Sequence, residues 1–253
     1  MAKILITGGA GFIGTHLAET LIQKKHKVLI VDKVSLSGGI FFVNKKAKFI
    51  KGNILDYKIL KKIEKWKPQI IFHLAAQSSG ESAYDDPKDD YLSNGYGTYL
   101  IAQLAKKIRC KYLIYTSSVA VYGSNPKNKI TEKSAIKPDS IYGVSKFVGE
   151  MFVKQLLLKS KTKVRIIRVF NTFGPGQNIT NLKKGIVGIF SYYVWRKKPI
   201  IVKGSIKRFR NLVFIDDCVK VLSKSFSNKN LNQFEVINLT SSKKTTVKEL
   251  INA

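Results

Sequence analysis

The stretch "KILITGGAGFIG" (residues 3–14) decides how this chain is read. Five residues of strand-forming character run into a cluster of glycines, and an apolar helical pattern opens at Phe12. Gly9, Gly11 and Gly14 satisfy G-x-G-x-x-G, while Gly8, Gly11 and Gly14 satisfy G-x-x-G-x-x-G. Glycine there permits a tight turn and lets backbone N–H groups of the turn and helix start, Phe12 and Ile13 included, approach a pyrophosphate. A second strand, "KVLIV" (27–31), runs into Asp32, 18 residues after Gly14. That is close to the spacing of about 20 at which a carboxylate meets the adenosine ribose hydroxyls. The strand–turn–helix setting with Asp32 points to dinucleotide binding. The carboxylate would repel a 2′-phosphate, which favours NAD over NADP; Lys33 beside it works slightly against that preference.

Outward from this motif the same alternation continues. "AKFIKGN" (47–53) reads as a strand, "DYKILKKIEKW" (56–66) as a helix, and "QIIFHLA" (69–75) as a strand covered on both faces. A helix over 91–108, a strand "KYLIYTSS" (111–118), a helix over 140–159 and a strand "KVRIIRVF" (163–170) follow. This order predicts an α/β fold with a Rossmann-type, doubly wound parallel sheet. After about residue 170 the rhythm breaks at "NTFGPGQN". A helix near 183–196, a strand "IIV" (200–202), a basic loop "GSIKRFRN" and a strand "FEVINL" (234–239) are predicted there. We read 1–170 as a dinucleotide-binding domain carrying the catalytic residues. Residues 171–253 read as a smaller substrate-side region interleaved with the main sheet. Thr246 and Glu249 in "TTVKELINA" form a capping-box pattern, so a helix starts with barely two turns left, and the chain reads as ending early for its fold.

Composition sets bounds on function. No apolar run of about 18 residues is present, so no membrane span is expected, and the glycine-rich start is not a secretory signal. Cys110 and Cys218 lack metal-type spacing and read as thiols in a reducing compartment, which points to the cytoplasm. The formal net charge is +29 from 45 basic and 16 acidic residues, but only six of the basic residues are arginine and they are dispersed. Specific nucleic-acid binding is therefore not expected. His16, His26 and His73 have no metal spacing, and "YDDPKDD" (84–90) reads as a solvated acidic loop before a helix, so no metal is assigned.

In "SIYGVSK" (140–146), Tyr142 and Lys146 fall on one helix face. A phenol titrates near ~10, and a neighbouring ammonium should lower that value, which would make the pair an acid/base device.

Taken together, seven stretches in order resemble the extended short-chain dehydrogenase/reductase family of nucleotide-sugar epimerases and dehydratases. They are "TGGAGFIG" (7–14), "HLAAQ" (73–77), "NGYGT" (94–98), "YTSSVAVYG" (115–123), "YGVSK" (142–146), "RVFNTFGPG" (168–176) and "RNLVFIDD" (210–217). The resemblance implies that Leu74, Ala75 and Ala76 line the cofactor and that Gln77 faces the substrate. Asn53 and Ile54 would stand at the adenine edge, where the family more often has Asp than Asn. Asn94 would support the active-site helices beside the cofactor. Asn171 would reach the nucleotide sugar and Arg210 its diphosphate, although Asn211 replaces the family's usual Asp. Ser118 would be the third catalytic hydroxyl, with Ser117 the second choice, Tyr142 the base, and Lys146 its tuner and a holder of the cofactor ribose. The resemblance also implies a homodimer through the two long helices.

Family members that dehydrate or decarboxylate sugars place acids within two positions after the catalytic hydroxyl. Here those positions are Val119 and Ala120, which exchange no proton. The resemblance therefore implies NAD-dependent epimerisation, at C4, of a nucleoside-diphosphate sugar through a 4-keto sugar. A reductase or dehydratase of the same family and a non-catalytic dinucleotide-binding module are the alternatives.

Overall fold

The computed structural model describes residues 1–34, 45–124, 129–226 and 232–253. The first half alternates as the pattern predicts. The elements are β1 (Lys3–Thr7), α1 (Phe12–Gln23), β2 (Lys27–Asp32), β3 (Lys48–Lys51), α2 (Tyr57–Trp66) and β4 (Ile70–His73). Two short helices, α3 (Gly80–Asp85) and α4 (Pro87–Asp90), lead into a π-helical turn (Tyr91–Tyr96) and then α5 (Gly97–Lys107). The helix predicted over 91–108 is thus two segments, with the wider π turn bearing Asn94. Strand β5 (Tyr112–Ser118), a 3₁₀ turn (Val119–Tyr122), α6 (Ile141–Leu157) and β6 (Lys163–Val169) complete this part.

Seven parallel strands form the central sheet in the order β10-β6-β5-β4-β1-β2-β3, where β10 is Phe234–Leu239. The strand order reverses between β1 and β4, and a ligand crevice is expected outside the strand C-termini there. Alternation along each strand feeds two cores. Ile4 and Ile6 pack with Leu17 and Leu21 of α1 on one face. Leu5 packs with Ile59 and Ile63 of α2, Ile101 of α5 and Val153 of α6 on the other. Both layers are fully buried, so the strands read as continuous apolar runs.

Beyond β6 lie β7 (Asn171–Phe173), α7 (Ile186–Trp195), β8 (Phe209–Arg210), β9 (Leu212–Phe214) and α8 (Ile215–Lys224). After β10 come β11 (Thr245–Thr246) and α9 (Val247–Asn252). Strand β7 pairs with β9 and β8 with β11. The predicted strand over 200–202 is not formed: Pro199 removes a donor at its start, Ile201 is exposed, and no partner strand pairs with it among the described residues. At α9 both halves of the capping box are present. Helix α8 packs against α1.

Candidate active site

The glycine turn is shaped by close approach. Gly8 has φ +70°, and a Cβ on it would lie 2.6 Å from the Ala75 nitrogen. A Cβ on Gly14 would strike the Gly8 carbonyl oxygen and the Gly9 backbone. Gly11 caps α1 without any side-chain bond, which leaves first-turn N–H groups to a ligand. Asp32 braces this turn: its carboxylate accepts from Ala10 N (3.0 Å) and Val34 N (3.1 Å). Lys33 instead faces Asp89 at 3.8 Å.

The turn opens onto a cleft of about 640 Å³ at the strand C-termini. Its walls include Gly8, Gly11, Phe12, Ile13, Gly14, Asp32, Lys33, Asn53, Ile54, Leu74, Ala75 and Ala76, together with Ser117, Ser118, Tyr142, Lys146 and Asn171. Nearly all the predicted positions therefore share one cavity. The Cβ-free cradle beside a helix N-terminus, with a carboxylate at the end of β2, fits a dinucleotide. The Asn53 side-chain oxygen accepts from Leu55 N (3.0 Å), which holds its loop at that wall.

Three predicted residues lie off the cleft wall. Gln77 folds onto the Ser79 backbone. Arg210 donates to the Phe209 carbonyl (2.9 Å) on the β8 side. Asn94 is wholly buried, and its amide donates to the Gln77 carbonyl and to Ser145 Oγ, both at 3.0 Å. It ties the Gln77 loop to α6.

Ser140 caps α6 by accepting from Gly143 N (3.1 Å), which sets where Tyr142 and Lys146 emerge. Ser118 Oγ accepts from Ala120 N (3.2 Å), starting the 3₁₀ turn, and also faces the Tyr142 hydroxyl. Lys146 is 2% exposed, with Nζ over the Tyr115 ring at 4.5 Å. Burial pulls its ammonium down to about 7, against the opposing pull of Glu150 and Asp90. The expectation that Lys146 lowers the Tyr142 phenol is corrected. Burial pushes that phenol up to about 12, only partly offset by its bond with Ser118, and Asp90 adds to the rise. Within the chain itself, desolvation outweighs any help from the lysine.

Ser117 is committed elsewhere. Its hydroxyl donates to buried Glu150, which also receives Arg168 through Nε (2.9 Å) and Nη2 (2.7 Å). Arg168 Nη1 donates to Tyr122 Oη (2.6 Å), and that hydroxyl donates to Asn238 of β10 (2.8 Å). The sequence reading missed this network. Its signal was a charged residue in each of two apolar stretches: Glu150 one turn after Lys146, and Arg168 inside "RIIRVF".

His73 is buried between Thr7 Oγ1 (2.7 Å) and Thr98 Oγ1 (3.0 Å), and burial drives it down to about 3. Thr98 gives its proton to the Asn94 carbonyl (2.6 Å), so His73 Nε2–H donates to Thr98 and Nδ1 accepts from Thr7. The reading of "YDDPKDD" as a solvated loop needs one correction. Asp85 and Asp89 face Lys183 and Lys33, but Asp90 is wholly buried against α6. Lys184, also unforeseen, lines the cleft, and burial lowers its ammonium. Among the described residues, no group of three or more His, Cys, Asp or Glu side chains could hold a metal ion, and no helix is long and apolar enough to cross a membrane.

Comparison with known proteins agrees with this geometry. The model of the NAD dependent epimerase/dehydratase family matches residues 4–240. The UDP-glucose 4-epimerase of Mycolicibacterium smegmatis is 32% identical over 223 residues, covering 86% of this chain and 71% of that protein. The dTDP-D-glucose 4,6-dehydratase of Dictyostelium discoideum is 34% identical over 268 residues, covering 96% of this chain and 61% of that protein. Among solved structures, the UDP-glucose 4-epimerase of Thermotoga maritima with UDP-glucose superposes with a TM-score of 0.91 at 30% identity, covering 99% of this chain and 80% of that one. The chain belongs to the NAD-dependent epimerase/dehydratase family, whose cofactor is NAD.

Proposed function

We propose that this chain epimerises a nucleoside-diphosphate sugar at C4. One observation carries the choice of reaction: Asp32, at the glycine-turn end, is the only acidic residue among the described residues lining the cleft. Val119 and Ala120, after Ser118, bear no ionisable group. Elimination of water needs a proton donor for the leaving hydroxyl, and no carboxylic acid stands beside Ser118 to supply it among the described residues.

NAD, when bound, supplies a hydride acceptor that later returns the hydride. The chain's own residues handle the proton. Tyr142 takes the proton of the C4 hydroxyl and gives it back after the 4-keto sugar has turned in the cleft. Ser118 donates to the same oxygen and holds it beside Tyr142. Lys146, which lines the same cleft with its Nζ over the Tyr115 ring, holds the cofactor ribose hydroxyls. The glycine turn and Asp32 hold the cofactor's pyrophosphate and ribose, and Ile54, Leu74, Ala75 and Ala76 exclude water from its rings. Asn171, Lys184 and the more remote Arg210 are the polar groups on the sugar-nucleotide side.

The assembly we propose is a homodimer. Tyr96 on the π turn, Val144 and Met151 on α6, and Leu158 at the C-terminal cap of α6 leave apolar side chains exposed. Cys110 and Cys218 are buried thiols pushed up to about 12, in keeping with a cytoplasmic site of action.

The dehydratase relative is as similar as the epimerase, so identity does not choose between them, and product mass does. Incubation with UDP-hexoses should yield a C4 epimer of unchanged mass. Tyr142→Phe should lower turnover by roughly 10²–10⁴ while NAD affinity is kept. A product lighter by one water would overturn the assignment of epimerisation.

A further inference from the structure

Near Tyr142 and Lys146 lies a buried carboxylate that takes no part in the proposed reaction. Asp90 ends α4 and enters the π turn, with its side chain fully buried against α6. It faces Ser145 and Asn94, yet neither carboxylate oxygen has a hydrogen-bond partner among the described residues. The Asn94 side-chain oxygen, one helical turn on, is likewise unpartnered, while its amide donates to Ser145 Oγ and to the Gln77 carbonyl. Two buried carboxylate oxygens and a buried amide oxygen thus share one wall, and Ser145 and Asn94 are the polar groups that face the carboxylate. Such a group is costly unless positive charge compensates it.

The charge at hand is Lys146, the residue after Ser145. The groups around it come from every packed element. Tyr142 and Glu150 stand on α6 itself, Tyr115 lies under Nζ from β5, His73 is on β4, and Asp90 is on α4. Glu150 is already matched by two bonds from Arg168 of β6. Asp89, the half-buried neighbour of Asp90, is engaged by Lys33 and Ser93. His73 is neutral, and both tyrosines are un-ionised. Asp90 is the remaining acidic side chain among them with no salt-bridge partner among the described residues.

We propose that Asp90 is the buried counter-charge of Lys146, a positioning residue that keeps this lysine protonated and facing the cleft. The inference rests on the assignment of Lys146 to the site proposed above. The mutual influence of the two groups agrees in direction: Asp90 raises Lys146, and Lys146 lowers Asp90 against its own burial. Asp90 touches neither cofactor nor sugar on this account. It acts through the lysine.

The test reads the lysine directly. The purified protein is exposed to trace acetic anhydride from about pH 5 to about pH 10, a span that includes the ordinary lysine value. The Lys146 peptide is then quantified by mass spectrometry. Should Lys146 label too slowly, its ¹³Cε shift in ¹³C-lysine protein gives the same midpoint. The wild type should titrate at about 7. Asp90→Asn, which keeps shape and removes charge, should lower that midpoint, and Asp89→Asn should leave it in place. Global unfolding would carry Lys146 toward about 10.4, the opposite direction, so a misfolded variant is not mistaken for support. An unmoved or raised midpoint in Asp90→Asn overturns the proposal. Absence of epimerase activity alongside a lowered midpoint would instead sink the proposed reaction and leave this pairing standing.

Discussion

Stability should follow pH through His73 in a way that can be calculated in advance. The imidazole is buried and neutral, held by two threonine hydroxyls and stacked on Tyr115 at 5.6 Å. Its pKa falls from 6.5 to about 3 on folding. Between those values the unfolded chain binds a proton that the native protein refuses. Stability therefore rises with pH through this window and is complete above about 6.5. At pH 5 the unfolded histidine is almost wholly protonated, and the cost is about 2 kcal/mol relative to neutral pH. That figure barely changes if the native value is about 4 rather than about 3, because pH 5 lies above both. The assay is urea denaturation at pH 7.5 and pH 5 for the wild type and for His73→Gln, each compared with its own neutral value. Other groups titrate equally in both proteins, so the wild type should lose about 2 kcal/mol more on acidification. Equal losses would show that His73 accepts a proton in the native state, and the reading of its buried neutral tautomer would fail.

Two further outcomes follow from the same groups. Glu150→Ala removes the acceptor of Ser117 and of two Arg168 bonds, so denaturant titration should register a loss of about 3–5 kcal/mol, with part recovered when Arg168→Met is added. A loss below about 1 kcal/mol would mean the guanidinium finds another partner. Asp32→Ala should narrow the preference for NAD over NADP in calorimetry, because it removes both an acceptor and a repulsion. Equal binding of the two by the wild type would show that Asp32 is not the ribose residue.

The sheet and its helices were legible because both signals are local. Periodicity marked the strands, and the glycine turn with Asp32 marked the crevice. The cavity wall was largely legible too, since the motifs that resemble the family fall at strand ends that topology brings together. What sequence did not yield depends on burial. Tyr142 and Lys146 share a helix face as their spacing requires, but their ionisation is governed by the desolvation of that face, which no spacing reports. Asp90 sits in an acidic run that looks solvated, and only the packing of α4 under α6 reveals it as enclosed. Gln77 and Arg210 lie within matching motifs, yet each turns onto a neighbouring backbone group. The "IIV" segment had strand composition without a neighbour to pair with among the described residues.

The seam between β6 and β10 bears on how this protein is made. Strand β6 is finished by residue 169, but its outer edge is closed only when residues 234–239 are in place. Until that segment leaves the ribosome, a bare parallel edge stands open, with Arg165 awaiting Glu235 opposite it and Tyr122 awaiting Asn238. Unpaired edges of this kind recruit other chains. The nascent protein thus passes through a vulnerable interval of more than sixty residues, during which a chaperone has an exposed strand to shield. A fragment cut at residue 170, where the alternating rhythm stops, would keep the glycine turn and the tyrosine–lysine pair but remain in that open-edged condition permanently.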